Sequence, residues 1–334
     1  MPSISPAALQ GSRRAWVVGL GVLLCAAIAS PVARAQEYPV KPVRLVVGSP
    51  PGALGDVLAR LTSQHLGKSL GQPLVVENKP GAALAIAANF VAKAPADGYT
   101  LLIAPDAATV VNPFVYQKLP YDPVKEFRSV GLVGKATLVL VVSNSLNAGT
   151  VEEFVNAAKA KPGVINFGSG GAGHPTHLAM EMFTNRTQIK LTHVPYQGTS
   201  PAIQALVTGE IGAMIVGVAE AMPLITAGRI KVVAASGPQA KEKFPQLPEL
   251  KSIHKDLDMS VWFGIHVPTA TPQPIVDKLN TQLNQMLRLP EVRARLDEFG
   301  MLPLPGPAAE LDAIQDTDRA RFGPLVKALG LKAD

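Results

Sequence analysis

The chain has 334 residues, of which 47% are hydrophobic and only 17% charged, a balance that excludes an intrinsically disordered protein. The length allows about two domains of ~150 residues, and 29 glycines with 30 prolines exclude sustained heptads and long uninterrupted helices. The net charge of +6 admits a nucleic-acid partner only until its place in the chain is considered.

Arg13 and Arg14 precede a mostly apolar, uncharged run from Ala15 to Ala29, and Ala33-Arg34-Ala35 follows as a small-x-small site. A basic start, a short apolar stretch and an A-x-A site predict a cleavable signal peptide over residues 1–35, cut near Ala35. The run is shorter than the ~20 residues a spanning helix needs. Ser12-Arg13-Arg14 leaves both the general secretory and the twin-arginine routes open. Cleavage removes three arginines and no acid, which lowers the charge from +6 to +3, and it also removes Cys25, the single cysteine. The mature chain from Gln36 therefore has no disulfide and no thiolate metal ligand. A nucleic-acid partner is not expected, and the expected location is the periplasm.

Val43–Val47 reads as a buried strand, and Gly48-Ser49-Pro50-Pro51-Gly52 breaks it. Asp56 reads as the N-cap of a helix that ends at Gly71, before a second strand at Leu74–Val76. Pro80-Gly81 is a turn, an alanine-rich helix runs over Ala82–Lys93, and Asp97-Gly98 leads into a strand at Tyr99–Ile103. The alternation predicts an open parallel sheet. It restarts with strands at Leu138–Val142, Val164–Phe167, Thr192–Val194, Ala213–Val216 and Ile230–Ala234, with helices at Val151–Ala160, His177–Phe183 and Ser200–Thr208. A last strand, Val261–Val267, precedes helices at Ile275–Leu287, Glu291–Phe299 and Ala308–Leu329. Crossings near Val130–Val141 and Leu257–Ile265 divide the chain into two α/β lobes, able to close on a ligand as a hinge. The first lobe takes residues 36–135 and 260–334, the second 136–259.

Tyr38-Pro39-Val40-Lys41-Pro42, Val75-Val76-Glu77-Asn78-Lys79-Pro80-Gly81 and Ala96-Asp97-Gly98-Tyr99-Thr100-Leu101-Leu102 are spaced along the mature chain. Asn112-Pro113, Leu119-Pro120-Tyr121-Asp122-Pro123 and His193-Val194-Pro195-Tyr196-Gln197-Gly198 continue the series. Together they resemble the Bug family, the periplasmic receptors of tripartite tricarboxylate transporters. The resemblance implies a two-lobed periplasmic binding protein fold of type II-like architecture. Each lobe would be a mixed, mostly parallel sheet flanked by helices, with two hinge crossings. It also implies a receptor that binds a small organic carboxylate through backbone amides and ordered water and hands it to membrane permease subunits. A monomer without a cofactor is expected.

The loop holding Ser49, Pro51, Gly52 and Ala53 follows a strand and precedes a helix N-terminus, where free amides and the helix dipole favour an anion. An ordinary strand-to-helix turn is the alternative. Ala53 stands where the family carries a second glycine. Gly168-Ser169-Gly170-Gly171-Ala172-Gly173 matches G-x-G-x-x-G, but no acid lies between Glu181 and Glu210 to hold a ribose. The resemblance makes this the second lobe's ligand loop, with Ser169, Gly170, Thr176 and His177 beside the carboxylate. It also places Tyr196 and Gly198 near the ligand, against the competing reading of a packed Pro-Tyr turn.

Asp106, followed by Ala107, either caps a helix or enters the cleft to meet a ligand hydroxyl or amine. Val216-Gly217-Val218-Ala219 stands where members often carry Asp-Asn-Leu-Pro. Loss of that acid argues against a plain amino-acid ligand unless Asp106 replaces it. His174 and His177 have HxxH spacing without a third ligand, so no metal is expected, and His65 reads as a helix-surface or packing residue. No G-x-S-x-G elbow occurs. The expected function is an extracytoplasmic solute receptor. The alternatives are an exported enzyme acting on a carboxylated small molecule, and a sensory binding protein that docks on a membrane kinase.

Overall fold

Val43–Val47, buried except at Arg44, forms β1. Helix α1 (Leu54–Leu70) leads to β2 (Leu74–Asn78), and α2 (Ala85–Ala92) leads to β3 (Thr100–Pro105). Both connections return the chain in the same direction, so β2 and β3 pair with β1 in parallel. A π-helical turn (Ala107–Val111) and α3 (Asn112–Val115) follow, then β4 (Phe127–Ala136). The computed structural model describes residues 38–257, 259–330 and 332. The expected signal peptide, with Cys25 and the site at Ala35, lies outside the described residues.

Beyond Thr137 the chain enters a second sheet at β5 (Leu138–Ser143). It continues through α4 (Val151–Ala160), β6 (Asn166–Ser169), α5 (Pro175–Thr187), β7 (Thr192–Pro195) and α6 (Thr199–Thr208). Strand β8 (Ala213–Gly217), helix α7 (Val218–Thr226) and strand β9 (Ile230–Ser236) complete that sheet. Two short helices, α8 (Ala240–Lys243) and α9 (Leu250–Ile253), precede β10 (Val261–Pro268). The chain ends with α10 (Gln273–Arg288), α11 (Pro290–Glu298), β11 (Met301–Pro303) and α12 (Ala308–Leu329). The described residues from Lys41 onward form one unit containing both sheets.

The sheet orders are β11-β4-β10-β3-β1-β2 and β7-β6-β8-β5-β9. Within the two sheets β1 pairs in parallel with β2 and β3, and β6 with β7 and β8, while β10 runs antiparallel to β3 and β4, β11 antiparallel to β4, and β5 antiparallel to β8 and β9. The sheets are mixed rather than mostly parallel, because the strands next to the two crossings enter against the direction of their neighbours. Helices α10 and α12 pack on β4, which returns the C-terminal segment to the first sheet. Trp262 of β10 fixes α12 there by donating its indole N–H to Asp318 at 2.7 Å.

Each sheet has an apolar core, one around Val46, Ala88 and Leu102 and the other around Val139, Leu206 and Met214. Helix α4 shows how local sequence sets a boundary. Thr150 accepts from the Glu153 N–H at 3.2 Å while Glu153 reaches back to the Gly149 N–H at 2.6 Å. Thr150→Ala removes this cap and is expected to lower stability by about 1 kcal/mol in denaturant titration.

Candidate functional site

The C-terminal ends of β1 and β6 face each other across a cleft of about 230 Å³. One wall comes from Gly48–Pro50, Ala53 and Pro80–Leu84, the other from Gly170–Ala172, His174 and Pro195–Thr199. The walls touch at Pro50 and Gly198. A β-carbon on Gly198 would lie 2.6 Å from Pro50 Cγ, and the glycine φ of +109° is one that L side chains rarely adopt. A smaller inner cavity adjoins the cleft through Ser49, Ala53, His174 and Thr199, and reaches Leu54, Thr176, Gly217 and Glu220.

Asp56 fixes the first loop. It is the third residue of α1 rather than its N-cap, a position held by Ala53. Its carboxylate accepts from Gly52 N–H at 3.0 Å, Arg60 Nε–H at 3.0 Å and Asn78 Nδ2–H at 2.8 Å, and Asn78 also donates to the Ser49 carbonyl at 2.9 Å. Burial acts to raise the Asp56 pKa, but the donors from Arg60, Gly52 and Asn78 outweigh it and hold the group below the usual value.

The next wall departs from the sequence expectation of a helix beginning at Ala82. Ala82, Ala83 and Leu84 have φ of +45°, +42° and +77°, and α2 starts only at Ala85. Three successive non-glycine residues in that region cost roughly 1–2 kcal/mol each, so outside contacts must hold them. Asn112 donates to the Ala83 carbonyl at 2.9 Å, and Leu84 packs against Gly48, where a β-carbon would meet Leu84 Cδ2 at 2.8 Å. Asn112 of the Asn-Pro motif thus supports the cleft wall.

The second wall rests on hydrogen-bonded histidines. Gly170 N–H donates to Thr176 Oγ1 at 3.0 Å, and the Thr176 N–H donates to His174 Nδ1 at 3.3 Å. An accepting Nδ1 leaves the His174 proton on Nε2. Burial, with His177 as the second cause, pushes the His174 pKa down to about 4, so its ring is a neutral donor lining the cleft. His177 turns away, and its ring stacks on His193 at 3.8 Å. The two histidines of the HxxH pair therefore serve different surroundings.

Of the residues expected at the site, Ser49, Ala53, Gly170, Tyr196 and Gly198 line the cleft, and Thr176 and Gly217 line the inner cavity. The others do not reach either wall. Pro51 and Gly52 are exposed at the loop tip, and the Gly52 amide is engaged by Asp56. Ser169 is fully buried with its hydroxyl 2.7 Å from His193 Nε2, and His177 accepts from Gly173 N–H at 3.1 Å. Ala107 and Val216 are fully buried in the core.

Asp106 caps the π-helical turn, accepting from Ala107 N–H at 2.9 Å, and is buried. Burial, with Asp318 as the second cause, raises its pKa well above the usual value. The Tyr196 hydroxyl donates to Glu210 at 2.8 Å, so only the body and backbone of that residue serve the cleft.

The acid that does face the interior is Glu220, which the sequence reading passed over. It lies in the first turn of α7, and the available signal was a single carboxylate among Val218, Ala219, Ala221 and Met222 just after a strand. Among the described residues, no lysine or arginine lines the cleft or the inner cavity. An anion bound here would be met by backbone N–H groups, hydroxyls and the His174 ring.

The family pattern described as tripartite tricarboxylate transporter family receptor matches residues 58–331. Protein BugT of Bordetella pertussis is 30% identical over 318 residues, covering 95% of this chain and 97% of BugT. The structure resembles R. palustris Rpa4515 with adipate, with a TM-score of 0.85 and 30% identity over 88% of this chain and 99% of that one. It also resembles MatC from Rhodopseudomonas palustris with bound malate, with a TM-score of 0.82 and 28% identity over 86% and 100%. Among the described residues no helix is long and apolar enough to cross a membrane.

Proposed function

This chain belongs to the tripartite tricarboxylate transporter family of receptors, and we propose that it closes on a small organic carboxylate and delivers it, unchanged, to the membrane permease of such a transporter. The observation that carries the reading is the cleft itself. Two glycine- and proline-rich loops, one from each sheet, meet at Pro50 and Gly198 around a space of about 230 Å³. Relatives of this fold hold adipate and malate. Residues 36–135 with 260–334 and residues 136–259 are the two lobes that would move, about hinges at Thr137 and at 259–260. The leader over residues 1–35 would carry the chain to the periplasm, where the mature form acts as a monomer.

The test is calorimetry on the protein from Gln36 onward against mono-, di- and tricarboxylates. At least one is expected to bind with a dissociation constant of about 1 μM or tighter, near −8 kcal/mol. Folded, ligand-free protein that binds none of them would refute the receptor reading. Recovery of a chemically altered acid after incubation would favour an exported enzyme.

A further inference from the structure

The inner end of the cleft already carries a carboxylate. Glu220 Oε1 accepts from Leu54 N–H at 2.9 Å and from the Thr199 hydroxyl at 2.6 Å. Leu54 is the first residue of α1 and belongs to the first sheet's half, whereas Glu220, Thr199 and Gly217 belong to the second. The amide that Glu220 takes is one of the donors at the positive end of α1, a natural position for a bound anion. Glu220 and His174 both line the inner cavity, and among the described residues no lysine or arginine lines that cavity or the cleft. Burial raises the Glu220 pKa, with the donors from Thr199 and Leu54 acting against it.

A carboxylate offers about four acceptor positions, and the donors from Leu54 and Thr199 both fall on Oε1. Oε2 takes neither of these donors and is available to a ligand group that donates a hydrogen bond. A second carboxylate in the same place would meet like charge with no cation to relieve it. We propose that Glu220 is a specificity-determining residue. It makes the inner end of the cleft accept the hydroxyl- or ammonium-bearing end of a carboxylic acid and reject a second carboxylate. The proposal rests on the receptor reading and narrows its ligand class to carboxylates with a hydrogen-bond donor at the far end. It also supplies, from Glu220 rather than from Asp106, the acid that a ligand amine would need.

The experiment compares acids of equal chain length by calorimetry. Succinate is set against γ-hydroxybutyrate and γ-aminobutyrate, and adipate against ε-hydroxycaproate and ε-aminocaproate, with butyrate and caproate as references. For at least one length, wild type is expected to bind a donor-bearing acid about ten-fold or more tighter than the diacid. Glu220→Gln should reduce that ratio about ten-fold, with little change for the plain monoacid. Glu220→Asp, which keeps the charge, should retain the preference. The wild-type ratio tests the proposal without any substitution. A wild-type preference for the diacids, or an unchanged ratio in Glu220→Gln, would overturn the role of Glu220 and leave the receptor reading standing. Failure of every probe to bind folded protein would overturn both.

Discussion

Replacing Gly198 by alanine is expected to weaken ligand binding about thirty-fold or more, roughly 2 kcal/mol, while leaving the protein folded. Two effects combine. The φ of +109° is one that only glycine adopts without strain, so the substitution costs about 1–3 kcal/mol wherever it is relieved. The added β-carbon would also lie 2.6 Å from Pro50 Cγ and 2.9 Å from Pro50 Cδ, on the opposite wall. The two walls cannot then approach as closely, and the cleft loses the contact that closes it over a ligand. Gly163→Ala separates these effects, because Gly163 has a φ of +76° with nothing within 4 Å of its hypothetical β-carbon. It should lower stability and leave binding intact. Pro50→Gly combined with Gly198→Ala should recover much of the affinity. An affinity for Gly198→Ala within about three-fold of wild type would show that the Pro50–Gly198 contact does not govern closure.

Elements built from local pattern were legible in the sequence. Strand β1 is a β-branched run, α1 has apolar residues at helical spacing, and Gly71 stops it in a left-handed conformation, so all three announce themselves without tertiary information. The cleft wall at Ala82–Leu84 was not legible. Alanine is the strongest helix former, and helix propensity alone starts the helix at Ala82. The bond from Asn112 to the Ala83 carbonyl and the packing of Leu84 on Gly48 override that preference across long sequence separations. Strand β4 was hidden in the same way, because a chain crossing between lobes reads as linker until its partners β10 and β11 are known.

At the site, the loops were legible from their glycines and prolines, but the side-chain directions were not. The HxxH pair gives no sign that His174 faces the cleft while His177 stacks on His193. Asp106 and Glu220 both follow strands, yet one is sealed by the turn it caps and the other lines the inner cavity. That difference depends on which helix covers each strand end.

Asp56→Ala, at the start of α1, should release the first lobe's loop. Asp56 is 3% exposed, and its carboxylate gathers Gly52, Arg60 and Asn78, and Asn78 in turn holds the Ser49 carbonyl. Removing the carboxylate leaves one Asn78 donor without its acceptor and frees the exposed Gly52 amide to water, which is expected to cost about 2 kcal/mol in denaturant unfolding. The loop from Gly48 to Ala53 would lose its fixed position, and ligand affinity should fall about ten-fold or more.

The pH dependence carries the same information with a definite sign. The folded-state pKa of Asp56 is below its usual value, so its contribution is fully present above the unfolded value of about 3.9. It is lost as the pH falls from there through the lower folded-state value. The stability difference between wild type and Asp56→Ala should therefore be constant from neutral pH down to about pH 5, and should shrink below about pH 4. A difference that grows on acidification would mean that the Asp56 carboxylate is destabilised in the folded protein. The hydrogen bonds to Gly52 and Asn78 would then not be what holds the loop.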